Sequence, residues 1–172
     1  MNNIYLIGFM GSGKSAVCAR LHELTGMERI EMDAILAEQE KMTINDIFAT
    51  KGEKYFRDKE TELITQLSFE GRKAVSCGGG AILREENVRI MKESGKIILL
   101  SASPETIYER LKDFDDRPLL HGNMNVPYIS ELMEQRRPRY EAAADFTVDV
   151  NGKSVDEICS EILDIINSKS NI

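Results

Sequence analysis

The stretch that most constrains this chain is Gly8-Phe9-Met10-Gly11-Ser12-Gly13-Lys14-Ser15, which follows directly on the apolar run Ile4-Tyr5-Leu6-Ile7. It fits the pattern G-x-x-x-x-G-K-[ST], in which glycines let backbone N–H groups curl around phosphate oxygens. A helix that begins where such a loop ends adds its positive dipole end to the same anion. Lys14 is then placed to reach the β- and γ-phosphates of a nucleotide and the Ser15 hydroxyl to ligate Mg²⁺, with Gly11, Ser12, Gly13 and Ala16 along the phosphates. The competing reading is a glycine-rich turn with an incidental lysine. The apolar run before the loop and the helix-like residues 14 to 25 after it favour the phosphate cradle. A bound nucleotide is expected, but no particular reaction, because the same cradle serves many chemistries.

The apolar run returns twice, as Ala74-Val75-Ser76-Cys77 stopping at Gly78 and as Ile97-Ile98-Leu99-Leu100 before Ser101 and Pro104. Continuous apolar runs of this length fit strands covered on both faces, as in parallel sheets. Arg29-Ile30-Glu31-Met32 and Phe146-Thr147-Val148-Asp149 are shorter candidates. Between them lie helical patterns. Val155, Ile158, Cys159, Ile162, Leu163 and Ile166 recur at helical spacing, behind Ser154 and Glu157 in a capping-box arrangement. Pro104 opens another helix, running to about Leu111. Strands alternating with helices predict an α/β fold around a parallel sheet, and 172 residues suit one domain. Two segments break the alternation. Residues 33 to about 70 read as helices inserted beside the sheet, and residues 112–125, without periodicity, read as a functional lid.

A net charge of −7 argues against broad nucleic-acid binding, but leaves room for anions wherever Arg and Lys converge in one cleft. No apolar run approaches the roughly 18 residues of a membrane span, and the opening residues lack the pattern of a secretory signal. Cytoplasmic residence is the expectation. Cys18, Cys77 and Cys159 form neither a C-x-x-C pair nor a metal-ligand spacing, so they read as reduced, buried, small apolar residues. His22 and His121 read as ordinary helix and loop residues.

Several polar signals remain. Glu31-Met32-Asp33 closes the second candidate strand. Asp33 there suits a hydroxyl that must lose a proton to attack phosphorus, and suits equally the N-cap of a helix starting at Ala34. In Gly52-Glu53-Lys54-Tyr55-Phe56-Arg57, helical spacing sets Glu53 and Glu60 beside Arg57. That is either a solvated ion-pair ladder or a guanidinium aimed at a carboxylate, and the residues alone leave the two even. Gly78-Gly79-Gly80 lets the backbone approach a ligand closely and offer N–H donors, or simply makes a tight strand-to-helix turn. Arg136-Arg137-Pro138-Arg139-Tyr140 reads by default as a charged face near a helix end. Arg117-Pro118-Leu119-Leu120 sets one Arg in the lid segment, where closure would bring it to a moving phosphoryl group.

In their order and spacing, these segments resemble the shikimate kinase family, from the N-terminus to about residue 165. The resemblance implies a three-layer P-loop kinase fold: a parallel sheet flanked by helices, with a helical substrate-binding insertion and a lid. It implies ATP-dependent phosphorylation of the 3-hydroxyl of shikimate, with ATP and Mg²⁺, by a cytoplasmic monomer with no nucleic-acid or membrane partner. Carried over by position, Asp33 binds the acceptor hydroxyl, and Arg57 and Arg136 bind shikimate. Gly78, Gly79 and Gly80 contact the acceptor, with Gly79 at the contacting position. Arg117 is the lid arginine, Arg110 stacks on adenine, and Lys153 flanks it. The chain departs from the family at Glu31, where the common residue is Asp, and Arg137 and Arg139 gain no role. A gluconate-like or nucleoside-monophosphate kinase would share the cradle and lid but not the Arg57, Gly78–Gly80, Arg136 set. A nucleotide-sensing regulator draws support from Glu31 alone, and Lys14, Asp33 and Arg117 oppose it.

Overall fold

The structure is a computed structural model and describes residues 2–114 and 122–168. Five strands, β1 (Asn3–Ile7), β2 (Glu28–Glu31), β3 (Lys73–Ser76), β4 (Gly95–Ser101) and β5 (Phe146–Asp149), pair in parallel in the order β2-β3-β1-β4-β5. The described residues also hold seven α-helices: α1 (Lys14–Thr25), α2 (Met32–Glu40), α3 (Ile44–Ser68), α4 (Glu85–Ser94), α5 (Pro104–Leu111), α6 (Val126–Ala143) and α7 (Val155–Ser168).

The continuous apolar runs become strands because each deals its side chains to two cores in turn. Ile4 and Leu6 join Ala74, Ile98 and Leu100 against Val17 and Leu21 of α1 and Ile158 and Ile162 of α7. Tyr5 and Ile7 join Val75, Ile97 and Leu99 against Leu63 and Ile64 of α3 and Met91 of α4. Helices therefore cover both faces of the sheet. Local signals set their ends. Ser154 Oγ accepts from Glu157 N at 3.2 Å while Glu157 Oε2 accepts from Ser154 N at 2.7 Å, the reciprocal capping box. Ser103 caps the helix that Pro104 opens, accepting from Thr106 N at 3.2 Å.

Residues 33 to 70 hold α2 and α3 and no strand. Gly52, at φ 85° and ψ 166°, divides α3 into two helical pieces. One sequence expectation is corrected here. Asp33 does not close a strand and does not cap a helix: β2 ends at Glu31, which occupies the N-cap position of α2, and Asp33 lies in that helix's first turn. The RRPRY segment does lie towards the end of a helix, although α6 runs on through Pro138 to Ala143.

The strand order decides where a ligand can enter. From β1 the chain moves out to β2, returns to β3 beside β1, then crosses to β4 on β1's other side. At such a reversal the connections leaving the carboxyl ends of neighbouring strands diverge and open a crevice. The glycine-rich loop after β1 sits at this point.

Ile98 is fully buried in β4 opposite Leu6. Ile98→Ala is expected to lower the unfolding free energy by about 2–5 kcal/mol, because the surrounding sheet and helices cannot collapse into the space. Urea denaturation of the two proteins checks it.

Candidate active site

At the phosphate end, Gly8 lies where no side chain fits. A Cβ there would come within 2.7 Å of the Leu100 carbonyl oxygen and 2.8 Å of Ser12 Oγ, and its φ of +149° is one that side chains rarely adopt. The loop then turns back on itself, Ser12 N donating to Phe9 O at 3.1 Å, and α1 starts with Gly13 as its N-cap. Lys14 Nζ arches over this loop and donates to Gly8 O at 2.7 Å and Phe9 O at 3.1 Å. The Ser15 hydroxyl donates to Glu31 Oε2 at 2.9 Å, and Arg29 Nη2 pairs with Glu31 Oε1 at 3.0 Å. Arg29 and Glu31 are two residues apart on β2 and so project from the same face. From α5, Arg110 Nη1 donates to Gly11 O at 2.9 Å. Lys153 pairs with Glu161 of α7 at 2.6 Å and still lines the cleft.

The other end is built around Gly78-Gly79-Gly80, immediately beyond β3. At Gly78 and Gly80 the lack of a side chain makes room for what crowds against the backbone. A Cβ on Gly78 would lie 2.7 Å from Asp33 Oδ1, and one on Gly80 would overlap the Arg57 guanidinium. A Cβ on Gly79 would lie 3.4 Å from Arg136 Nη1 and 3.6 Å from Tyr140 Oη. Arg57 is aimed by its helix neighbours, with Glu60 Oε2 at 2.9 Å and Glu53 Oε1 at 3.6 Å. Its guanidinium also sits 5.3 Å from the ring centre of Phe56 and 5.8 Å from that of Phe48. Glu60 is fully buried, and burial pushes its carboxyl above the ordinary range while the Arg57 charge pulls it back. Glu60 Oε1 and Arg57 Nε have no hydrogen-bond partner among the described residues.

The two ends form one cleft of about 1010 Å³ that runs from Gly11–Ala16 past Asp33 to Arg57, Gly78–Gly80 and Arg136. It is large enough for a small ligand beside a nucleotide. Residues 10–167 match the family model described as shikimate kinase.

The chain belongs to the shikimate kinase family.

A shikimate kinase of Persephonella marina is 45% identical over 163 residues, covering 95% of this chain and 98% of the relative. One from Dehalococcoides mccartyi is 38% identical over 99% of this chain and 96% of its own. Among solved structures, shikimate kinase from Acinetobacter baumannii in complex with shikimate is 31% identical. It superposes with a TM-score of 0.91 over 100% of this chain and 96% of that one.

Of the residues singled out from the sequence, Lys14, Ser15, Asp33, Arg57, the three glycines, Arg110, Arg136 and Lys153 all border this cleft. Arg117 and His121 lie outside the described residues. Arg137 pairs with Glu134, and Arg139 reaches the Leu83 carbonyl from an exposed position, so neither joins the site. The His22 ring meets the Met27 carbonyl through Nδ1 at 2.6 Å. Four contributors were not read from the sequence. Phe48 and Phe56 stack at 4.7 Å beneath Arg57, brought together across the Gly52 break, which helical spacing does not anticipate. Arg29 was legible as the residue two before Glu31 on a strand. Tyr140, four residues after Arg136 on a helix, was legible as its neighbour.

All three cysteines are buried and unpaired. Burial pushes the Cys18 and Cys159 thiols up to about 11, and Cys77 higher still. A thiol-reactive dye at pH 8 is expected to label none of them within minutes in the folded protein and all of them in guanidinium chloride. Fast labelling of the native protein would contradict this.

Proposed function

We propose that this enzyme transfers the γ-phosphoryl group of ATP to the 3-hydroxyl of shikimate, giving ADP and shikimate 3-phosphate, with the residue roles that follow. The observation that carries the reading is the meeting of Arg57 from α3 and Arg136 from α6 at one three-glycine turn, beside a phosphate cradle. Shikimate is a small carboxylate bearing ring hydroxyls. A planar guanidinium can grip such a carboxylate through two parallel hydrogen bonds, which a point-like lysine charge cannot do.

The chemistry is positioning and charge neutralisation. Backbone amides of Gly11 to Ala16 and the Lys14 ammonium hold the phosphates. Arg110 and Lys153 flank the adenine end. Asp33 takes the hydroxyl proton as the acceptor oxygen bonds to the γ-phosphorus and the bond to the departing ADP oxygen breaks. Arg117, carried by the lid segment of residues 112–125, balances the charge on the moving phosphoryl group. The α2–α3 insertion holds the acceptor within a single kinase domain.

Mg²⁺ suits the donor set at the cradle. Ser15 and Glu31 offer a hydroxyl and a carboxylate in mutual contact at 2.9 Å, both hard oxygen ligands. The described residues hold no cluster of three His, Cys, Asp or Glu side chains, so phosphates and water would complete the shell, as this cation prefers. When bound, it supplies positive charge to the β- and γ-phosphates. We read the enzyme as a cytoplasmic monomer acting on small molecules and not on nucleic acid. Its net charge of −7 supports the part of that reading that sets nucleic acid aside. No helix among the described residues is long and apolar enough to cross a membrane.

ADP release measured with ATP alone, with shikimate, and with gluconate and nucleoside monophosphates tests the reaction; release that depends on shikimate alone is expected. Arg57→Ala is expected to weaken shikimate binding by roughly 10- to 100-fold, the range for losing hydrogen bonds to a charged group, with MgATP binding nearly intact. Calorimetry showing an equal loss of both would remove the division of the cleft. Glu31→Ala is expected to raise the Mg²⁺ concentration for half-maximal rate several-fold while leaving the shikimate KM in place. An unchanged Mg²⁺ titration would exclude Glu31 from the metal's surroundings.

A further inference from the structure

Tyr140 is nearly fully buried, at 5% exposure, yet its hydroxyl reaches Gly79, a residue that lines the cleft. Its ring packs in the core beneath the sheet with Phe56, Leu99 and Ala143. Packing alone would be served by phenylalanine. The hydroxyl instead donates to the Gly79 carbonyl at 2.7 Å, across a gap of 61 residues in the chain. Arg136, one helical turn earlier on α6, faces the same spot: a Cβ on Gly79 would lie 3.4 Å from its Nη1 and 3.6 Å from the Tyr140 oxygen.

We infer that Tyr140 is a positioning residue for the acceptor, its hydroxyl fixing the Gly79–Gly80 peptide and the Arg136 guanidinium as one unit. This rests on the assignment of Arg57, Arg136 and the glycine turn to shikimate.

The reasoning starts from the peptide plane. No cis peptide bond occurs among the described residues, so the C=O of Gly79 and the N–H of Gly80 point in opposite directions in one rigid plane. With the Gly79 carbonyl held by Tyr140, the whole peptide plane, the Gly80 N–H included, is held with it. A run of glycines has no Cβ to resist rotation, so this turn is the part of the cleft least able to hold its own orientation. A single hydrogen bond from a rigid, buried aromatic supplies what the missing side chains cannot. The phenol donates its only proton to Gly79, which turns its lone pairs outward as acceptors for the Arg136 guanidinium. Arg136 in turn holds down the burial-raised pKa of the phenol, the sign expected of a cation at that oxygen.

Tyr140→Phe keeps the ring and removes the donor. Its shikimate KM is expected to rise about tenfold, the scale of one lost buried hydrogen bond, with the ATP KM within twofold of wild type. Tyr140→p-aminophenylalanine, which restores an N–H donor at the same place, is expected to bring the shikimate KM back. Should Tyr140→Phe be too unstable for kinetics, calorimetry with shikimate and with MgADP on the folded protein in the cold reads the same split. An unchanged shikimate affinity in Tyr140→Phe overturns the inference, as does a parallel loss of nucleotide affinity, which is what a purely structural role predicts. Arg57→Ala and Arg136→Ala run alongside separate the two levels. If neither weakens shikimate binding, the acceptor assignment has failed and Tyr140 falls with it; if both do and Tyr140→Phe does not, Tyr140 alone is wrong.

Discussion

Everything at the acceptor end depends on one buried ion pair, Arg57 with Glu60 at 2.9 Å. Glu60 has given up all contact with water, and its raised pKa records that burial outweighs what Arg57 returns. Such a group favours the folded state at low pH and loses that contribution as pH rises through its raised pKa. The pair is therefore a poor stabiliser at neutral pH, although removing one partner alone typically costs about 3–5 kcal/mol. Its value is geometric. With Glu60 fully buried beside Gly78, the guanidinium cannot swing away as a surface arginine would. The two phenylalanine rings beneath it limit its remaining freedom. The cores on either side of the sheet offset a charge arrangement that by itself does not favour folding.

The same economy governs the whole cleft. Six cationic side chains, Lys14, Arg29, Arg57, Arg110, Arg136 and Lys153, line it against three carboxylates, Glu31, Asp33 and Glu60, in a chain whose net charge is −7. The cleft is thus positive where the rest of the surface is negative. Anionic ligands are drawn to the switch point at β1 and repelled elsewhere. The carboxylates within the cleft are not waste. Glu31 is set beside Arg29 and the Ser15 hydroxyl, and Glu60 beside Arg57, so attraction and orientation come from the same residues.

The sheet was legible in the sequence because its strands are covered on both faces, and uninterrupted apolar runs such as Ile97-Ile98-Leu99-Leu100 have few other uses. Helix ends with a strong local signal, Ser154 with Glu157 and Ser103 before Pro104, were equally legible. The cradle was readable because its loop needs glycine at fixed places. The acceptor side was harder. Each of its charged groups has an innocent explanation on its own helix, and only the resemblance to a family joined them. Long-range convergence has no local signature: nothing near Gly79 in the chain announces that Tyr140 will donate to it. Asp33 was misplaced for a related reason. Its strand ends two residues sooner than the alternation suggests, because Met32 is buried on the helix side of that boundary, and apolar character alone does not distinguish the two.

Glu31 shows how a departure from a family pattern can be absorbed. An aspartate at this place is shorter by one methylene; the glutamate carboxylate, from the last residue of β2, extends to the Ser15 hydroxyl at 2.9 Å. The added length brings added freedom, which would leave the group free to fold away from the cradle. Arg29 removes that freedom. Two residues back on the same strand face, it holds Oε1 at 3.0 Å and leaves Oε2 directed at Ser15. The pair is partly exposed, so it contributes little to stability. Its contribution is to fix which oxygen faces Ser15. The substitution that gave a non-catalytic reading its only support is thus accompanied, within the same strand, by a residue that keeps a carboxylate where a hydrated cation would need it.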